Sequence, residues 1–278
     1  MYEARISRST PTLLLCLMDQ SGSMEEKMTS GKTKAQTVAD VLNRTIDSLI
    51  MQCRKAAGVL HYYDIGIIAY GDNGVYNGFQ GELANSFIQP LNIIESSPLR
   101  IEERKKREDD GAGGIMEQNI KFPVWFEPKA SGGTPMCQAI TKVAEELVPW
   151  CDSHPDSYPP TILHITDGAS TDGDPEALAT QAKQIQTNDG SVLFFNLHLS
   201  TSGDSPIMLP ASEFILPDPY SKLLFRMSSI LPEQLIRFAR DVKGYSIGIE
   251  SRGFMFNADN VVQIVDFFDI GSKTAQLG

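Results

Sequence analysis

A chain of 278 residues is long enough to bury a sizeable core, as one large domain or two small ones. Its 41% hydrophobic and 21% charged content is that of an ordinary globular protein. With 35 acidic and 24 basic residues the net charge is −11, which argues against a general nucleic-acid or anionic-membrane binder and suits a cation.

Arg5 and Arg8 ahead of the apolar residues 13–18 mimic a secretory leader. The run is shorter than the roughly 7–15 residues such a leader needs, and no small-residue cleavage site follows. Leu15 is too large to precede a lipoprotein cysteine at Cys16. Cys16, Cys53, Cys137 and Cys151 show no CxxC spacing and read as reduced core or near-core thiols. The expectation is a cytoplasmic protein with no membrane attachment.

Residues 13–18 read as a fully buried parallel strand that stops at Asp19, with hydroxyls following at Ser21 and Ser23. In an open α/β sheet the carboxyl end of such a strand is where ligands bind. These three side chains offer hard oxygens and neither sulfur nor imidazole, the donor set Mg²⁺ prefers. After a polar loop, Val38, Val41, Leu42, Ile46, Leu49 and Ile50 give residues 34–57 helical spacing, which Gly58 ends. Residues 64–72 form a second buried strand, so the β-α-β order implies a right-handed crossover and a parallel pair.

Residues 73–129 are the least legible part. An edge strand fits residues 87–94. Residues 100–110 hold five basic and five acidic side chains, a solvated helix or hairpin arm with Glu103–Arg107 pairing rather than a nucleic-acid patch. Residues 111–114 read as a glycine hinge. Residues 120–126 are apolar and aromatic, but Pro123 demotes them to an edge or loop that caps the core or offers a partner surface.

Ser131-Gly-Gly-Thr134-Pro then leads into a helix over 135–150 whose apolar face is Met136, Ile140, Val143, Leu147 and Val148. Residues 161–166 form a strand that ends on Asp167 and Gly168. Asp174 before Pro175 reads as a helix N-cap, or with Asp172 as an acidic rim beside a cation. A helix over 176–188 and a strand over 191–200 follow. Residues 201–231, rich in Pro and Ser, read as an irregular excursion. A helix over 232–242, a strand over 253–258 and a helix over 260–268 close the chain. The alternation predicts one doubly wound α/β domain over 1–278, its central sheet mostly parallel with helices on both faces, and insertions at 73–129 and 201–231.

The succession D-x-S-x-S at Asp19, Ser21 and Ser23, then G-G-T ending at Thr134, then strand-D-G at Asp167 resembles the metal-ion-dependent adhesion site of von Willebrand factor type A domains. The resemblance implies a Rossmann-like fold in which Ser21 and Ser23 are direct ligands of Mg²⁺ (or Mn²⁺ or Ca²⁺). By the same resemblance Asp19 orients the cluster, often through water, Thr134 comes from the second loop, and Asp167 stands behind. Gly22 is expected to turn the backbone between the serines, and Gly132 and Gly133 to permit close approach. Two carboxylates leave such an ion short of negative charge, so a protein partner's Asp or Glu is expected to complete its shell. Within that family a lone intracellular domain resembles bacterial forms associated with tellurite-resistance and kinase–phosphatase stress or defence systems.

No nucleophile–base pair, G-x-S-x-G elbow or phosphate-binding glycine string accompanies the site, so no enzymatic activity is expected. His164 and His198 lie in strand patterns and read as core histidines. Two alternatives stand beside the binding module. One is a scaffold that keeps the fold without needing the metal. The other is a metal-dependent phosphatase or nuclease using Asp19, Asp167, Asp172 and Asp174.

Overall fold

Strand β1, Thr12–Asp19, is buried along its whole length and lies inside the sheet of the computed structural model, which describes residues 2–109 and 115–273. Helix α1 (Lys34–Cys53) follows, capped by Thr33, whose hydroxyl accepts the Gln36 N–H while Gln36 returns a bond to the Thr33 N–H. The helix ends before Gly58, because a two-residue hairpin, β2 (Arg54–Lys55) against β3 (Gly58–Val59), turns there through Gly58 at φ 105°. Strand β4 (Tyr63–Gly71) returns parallel to β1, as the crossover predicts.

The described part of the stretch 73–129 is built mainly of antiparallel strand pairs. Strands β5 (Gly74–Asn77) and β6 (Ile88–Pro90) share the outer side of β4, and α2 (Leu91–Ser96) follows at once. The charge run is strand β7 (Arg100–Asp109), paired over its length with β8 (Ile115–Val124) in a two-stranded arm. Residues four apart in a strand stand about 13 Å apart, and the described charges of the arm meet across the strands and between alternate residues; the Arg107 side chain, in the expected Glu103–Arg107 pairing, lies outside the described residues. Lys105 meets Glu117 at 3.0 Å, and Arg104 meets Glu102 at 2.8 Å. Pro123 is tolerated because both strands of such an arm are edges. Residues 111–114 lie outside the described residues. At the arm's root Phe122, Val124, Trp125 and Phe126 are buried, so this stretch caps the core.

Helix α3 (Met136–Ser153) buries Met136, Ile140, Val143 and Leu147. Val148, expected on that face, is exposed. Strand β9 (Thr161–Thr166) pairs parallel with β1 on the side away from β4. Helix α4 (Glu176–Ala182) stops well before residue 188, because β10 (Gln186–Thr187) and β11 (Gly190–Ser191) form a small hairpin. Strand β12 is Leu193–Leu199.

The stretch 201–231 is more ordered than its Pro and Ser content suggests. It contains edge strand β13 (Ile207–Met208) and helix α5 (Pro219–Met227), capped by Asp218, which accepts the Ser221 N–H at 2.8 Å. Helix α6 (Glu233–Asp241), strand β14 (Phe254–Ala258) and helix α7 (Val261–Ser272) complete the chain.

Among the described residues the main sheet runs β13-β14-β12-β9-β1-β4-β5, with β6 also on β4. The pairs among β14, β12, β9, β1 and β4 are parallel, and β5, β6 and β13 are antiparallel edges. Because successive side chains of a strand point to opposite faces, Leu14, Cys16 and Met18 pack towards α1 and α7, and Leu13, Leu15 and Leu17 towards α3. Each fully buried leucine contributes about 1.5–3 kcal/mol, so β1 is a strong organiser of both halves of the core. The chain leaves β1 for β4 on one side and later reaches β9 on the other. The crevice between β1 and β9 is therefore the switch point where such sheets bind ligands.

Candidate metal centre

The register that pairs Met18 with Ile165 puts Asp19 and Asp167 at the carboxyl ends of adjacent strands, within about one residue of the same level. Asp19 is buried. One carboxylate oxygen accepts the Ser21 N–H at 2.8 Å and the other accepts the Thr166 hydroxyl at 2.7 Å. Burial pushes the Asp19 carboxyl up to about 6, against those hydrogen bonds, which favour the charged form. The Ser21 and Ser23 hydroxyls are 3.2 Å apart, and Ser23 Oγ donates to Asp167 Oδ1 at 2.6 Å.

Thr134 joins them from the second loop. A Cβ placed on Gly168 would lie 3.9 Å from both Ser23 Oγ and Thr134 Oγ1, so both hydroxyl oxygens lie close to one point beside Gly168. Thr134 is largely buried, and its hydroxyl oxygen, which makes no hydrogen bond among the described residues, is open to solvent. The structure thus brings Asp19, Ser21, Ser23, Thr134 and Asp167 into one cup.

Main-chain bonds hold the cup's loops together. Ser131 N–H donates to the Gln20 carbonyl at 2.8 Å, Gly22 N–H to Gly132 at 3.0 Å, and Asp72 N–H to Ser131 at 2.9 Å. Thr171 N–H donates to the Thr134 carbonyl at 2.9 Å, and Thr134 N–H returns to the Thr171 hydroxyl at 3.0 Å. Gly132 is required here. Its φ is 74°, and an added Cβ would come within 2.3 Å of the Asp72 Cα. The close approach it permits is to Asp72. An added Cβ at Gly22 would meet the Gly132 carbonyl oxygen at 3.5 Å and its nitrogen at 3.9 Å, ordinary contacts, so the turn between the serines does not demand glycine there.

Several members of the cup carry little sequence signal. Thr166 looks like one more strand residue, yet it holds both Asp19 and the Gly168 carbonyl, the latter at 3.1 Å. Tyr220, from the Pro-rich excursion, also donates to the Gly168 carbonyl. Lys34 is the first residue of α1, and its ammonium reaches Asp167 Oδ2 at 2.8 Å and Glu26 at 2.7 Å. A lysine at a helix N-terminus, against the macrodipole, is the signal that could have found it.

The remaining acidic residues are committed elsewhere. Asp172 accepts the Cys137 and Gln138 N–H groups at 2.9 and 3.0 Å and so caps α3. Asp174 accepts the Glu176 N–H at 2.9 Å at the start of α4, one residue before the N-cap position that Pro175 occupies. His164 is a satisfied core histidine between Tyr70 and Asn196, each at 2.7 Å, and burial lowers it to about 4. His198 stacks on Phe256, and burial lowers it to about 4 as well.

Among the described residues no three His, Cys, Asp or Glu side chains gather as a metal-binding group. The cup instead combines two carboxylates with three hydroxyls, one of them unpartnered. That donor chemistry fits a hard, oxygen-seeking divalent cation and suits neither Zn²⁺ nor a soft metal.

No family model matches the chain, and no curated protein matches it. Solved structures do. Proximal thread matrix protein 1 from the mussel byssus superposes with a TM-score of 0.50 at 14% identity, over 96% of this chain and 48% of its own. The pilus adhesin SpaC from Lactobacillus rhamnosus GG does so with a TM-score of 0.50 at 13% identity, over 96% of this chain and 30% of its own. Manganese-loaded TRAP protein from Plasmodium vivax matches with a TM-score of 0.34 at 12% identity, over 68% and 57%, too distant a likeness to argue from. This chain spans about half the length of the first of these proteins and under a third of the second. Among the described residues no helix is long and apolar enough to cross a membrane. The likenesses concern the fold, a Rossmann-like arrangement of a mostly parallel sheet between helices, and the chemistry of the cup rests on this chain's own residues.

Proposed function

We propose that the chain is a metal-dependent protein-binding module, which captures an Asp or Glu of a partner at the cup formed by Asp19, Ser21, Ser23, Thr134 and Asp167. The observation that carries the reading is the Thr134 hydroxyl, which has no hydrogen-bond partner among the described residues and lies, like Ser23 Oγ, 3.9 Å from one point beside Gly168 at the switch point of the sheet. A bound Mg²⁺ or Mn²⁺ would supply the positive charge that draws in the partner's carboxylate. The residues do the rest. Asp19 and Asp167 provide the negative charge, the hydroxyls provide neutral donors, and the stitched loops hold both in register. The name of one structural neighbour, a pilus adhesin, is in keeping with a binding role for this fold. Asp172 and Asp174 serve helix ends, which favours binding over phosphatase or nuclease chemistry.

The biological setting we propose is a cytoplasmic adaptor in a bacterial stress or defence assembly. Four free cysteines, three of them buried, support a reducing compartment. The test starts with the metal. Mg²⁺ or Mn²⁺ is expected to raise the melting temperature, by about 2.7 kcal/mol of stabilisation at a hundredfold excess over Kd, and Asp19→Asn or Thr134→Ala is expected to abolish the rise. Calorimetric titration with no saturable site in the unmutated chain would overturn the reading.

A second reading, a scaffold that binds its partner without metal, is favoured by the Lys34–Asp167 ion pair, which already balances charge in the cup. Partner capture that is equally strong in EDTA and in Mg²⁺ would select it.

A further inference from the structure

We propose that Lys34 is a resident counter-cation of the cup, a positioning residue whose ammonium competes with the divalent ion and sets its affinity. The inference rests on the metal reading above and concerns a side chain that lies outside the D-x-S-x-S, G-G-T and D-G motifs. The Lys34 side chain is 4% exposed, and its ammonium lies between Asp167 Oδ2 at 2.8 Å and Glu26 Oε2 at 2.7 Å. The Asp167 side chain is fully buried, and its other oxygen is held by Ser23 Oγ at 2.6 Å. Glu26 is more than half exposed and also accepts the Thr201 hydroxyl at 2.8 Å.

Two costs make this placement informative. A buried ammonium loses its hydration, and a cation in the first turn of α1 faces the positive end of the helix dipole. Among the described residues only the two carboxylates offset those costs. The cup therefore holds Asp19 and Asp167 with one positive charge already beside Asp167, and Glu26 draws part of that charge outward. A divalent cation entering between Ser23 and Thr134 is repelled by the ammonium and finds Asp167 half neutralised. It follows that affinity for the ion rises when the ammonium is removed and falls when Glu26 no longer holds it back. The same ammonium relieves repulsion between Asp19 and Asp167 in the metal-free state, so the cup keeps its shape without an ion.

The experiment is calorimetric titration of the full chain with Mn²⁺, with thermal unfolding in EDTA and in Mn²⁺. The proteins are the unmutated chain, Lys34→Met, Lys34→Arg and Glu26→Gln. Lys34→Met is expected to bind Mn²⁺ about tenfold more tightly, to melt lower in EDTA, and to gain more from Mn²⁺ than the unmutated chain. Lys34→Arg, which keeps the charge, is expected to stay within about threefold, and Glu26→Gln to bind about threefold or more weakly. A merely structural lysine would lower the melting temperature of Lys34→Met without enlarging the Mn²⁺-induced rise, and that result overturns the proposal. Should Lys34→Met not fold, Glu26→Gln decides, and affinity equal to or tighter than that of the unmutated chain overturns it. Saturable Mn²⁺ binding by the unmutated chain tests the metal reading, and the order of the variants tests Lys34. Binding by Lys34→Met alone would support the competition while overturning the metal reading for the unmutated chain, and binding by none of the four would overturn both.

Discussion

Asn43, in the buried middle of α1, holds the backbone of Trp125 at the root of the β7–β8 arm. Its carbonyl oxygen accepts the Trp125 N–H at 2.8 Å and the Phe126 N–H at 3.0 Å, and its amide donates to the Phe126 carbonyl at 2.9 Å. One side chain thus satisfies three main-chain groups that leave the sheet ladder. Asn43→Ala is expected to cost about 3 kcal/mol, because buried polar groups left without partners carry their full desolvation penalty. Urea unfolding measures this, and a loss below about 1 kcal/mol would mean that water reaches the arm's root.

Gly132→Ala is expected to cost about 2–4 kcal/mol, since the new methyl meets the Asp72 backbone at a positive φ. Because Thr134 is two residues away, the Mg²⁺-induced rise in melting temperature should shrink with it. Unchanged stability would show that the loop moves aside freely.

Tyr220→Phe removes the hydroxyl that donates to the Gly168 carbonyl and leaves the ring packed against His198. Stability is expected to fall by about 1 kcal/mol, and the Kd for Mg²⁺ to weaken several-fold as the loop after β9 loosens. Titration calorimetry reads the second effect, and an unchanged Kd would separate Tyr220 from the cup.

At the opposite end of the sheet, His61 Nε2 lies 2.6 Å from Asp64, whose other oxygen accepts the Trp150 indole N–H at 2.9 Å. The hydrogen bond to Asp64 raises the His61 pKa against the effect of burial. A raised histidine contributes stability that is fully present below its unfolded value of about 6.5 and is lost as pH rises through the folded value. The imidazole is one-third exposed, so solvent screening keeps the contribution under about 1 kcal/mol. Urea midpoints for the unmutated chain are expected to fall slightly from pH 6 to pH 8.5, and His61→Gln to lose that component. An identical pH profile in the variant would show that the pair does not couple to folding.

The strands and helices at the site were the legible part of the sequence. β9 and the end of β1 stand where the apolar runs stop at Thr166 and Asp19, because a strand buried on both faces writes a continuous apolar word. The arm was illegible for the opposite reason. Residues 100–109 have neither period, and their strand state comes from pairing with residues 115–124, a contact that no local window contains. Helix α4 looked too long because Ile185, which fits the helical period, instead accepts the Val192 N–H beside a hairpin. Helix α5 was hidden by its Pro-rich surroundings, although Asp218–Pro219 is a start signal of the kind read at Asp174–Pro175. In the cup, the motif residues were readable because three short polar strings, each common alone, follow in order at strand ends and a helix entry. Thr166 was not, since a buried hydroxyl bond leaves no local trace, and Lys34 showed only as a lysine set against the macrodipole at the start of α1, its Asp167 partner lying 133 residues away.

The stitching of the cup has a consequence for how its amide protons leave. The Gly22, Asp72, Ser131 and Thr171 N–H groups each donate to a carbonyl on another loop, so none is freed by motion of its own loop alone. Exchange with deuterium at these four positions is therefore expected to follow one shared opening event, with similar protection factors, while the exposed residues of the outer loops exchange independently and faster. An ion that bridges the same loops would slow all four together by a common factor. Amide exchange would then report occupancy of the cup from main-chain hydrogens, without a spectroscopically active metal.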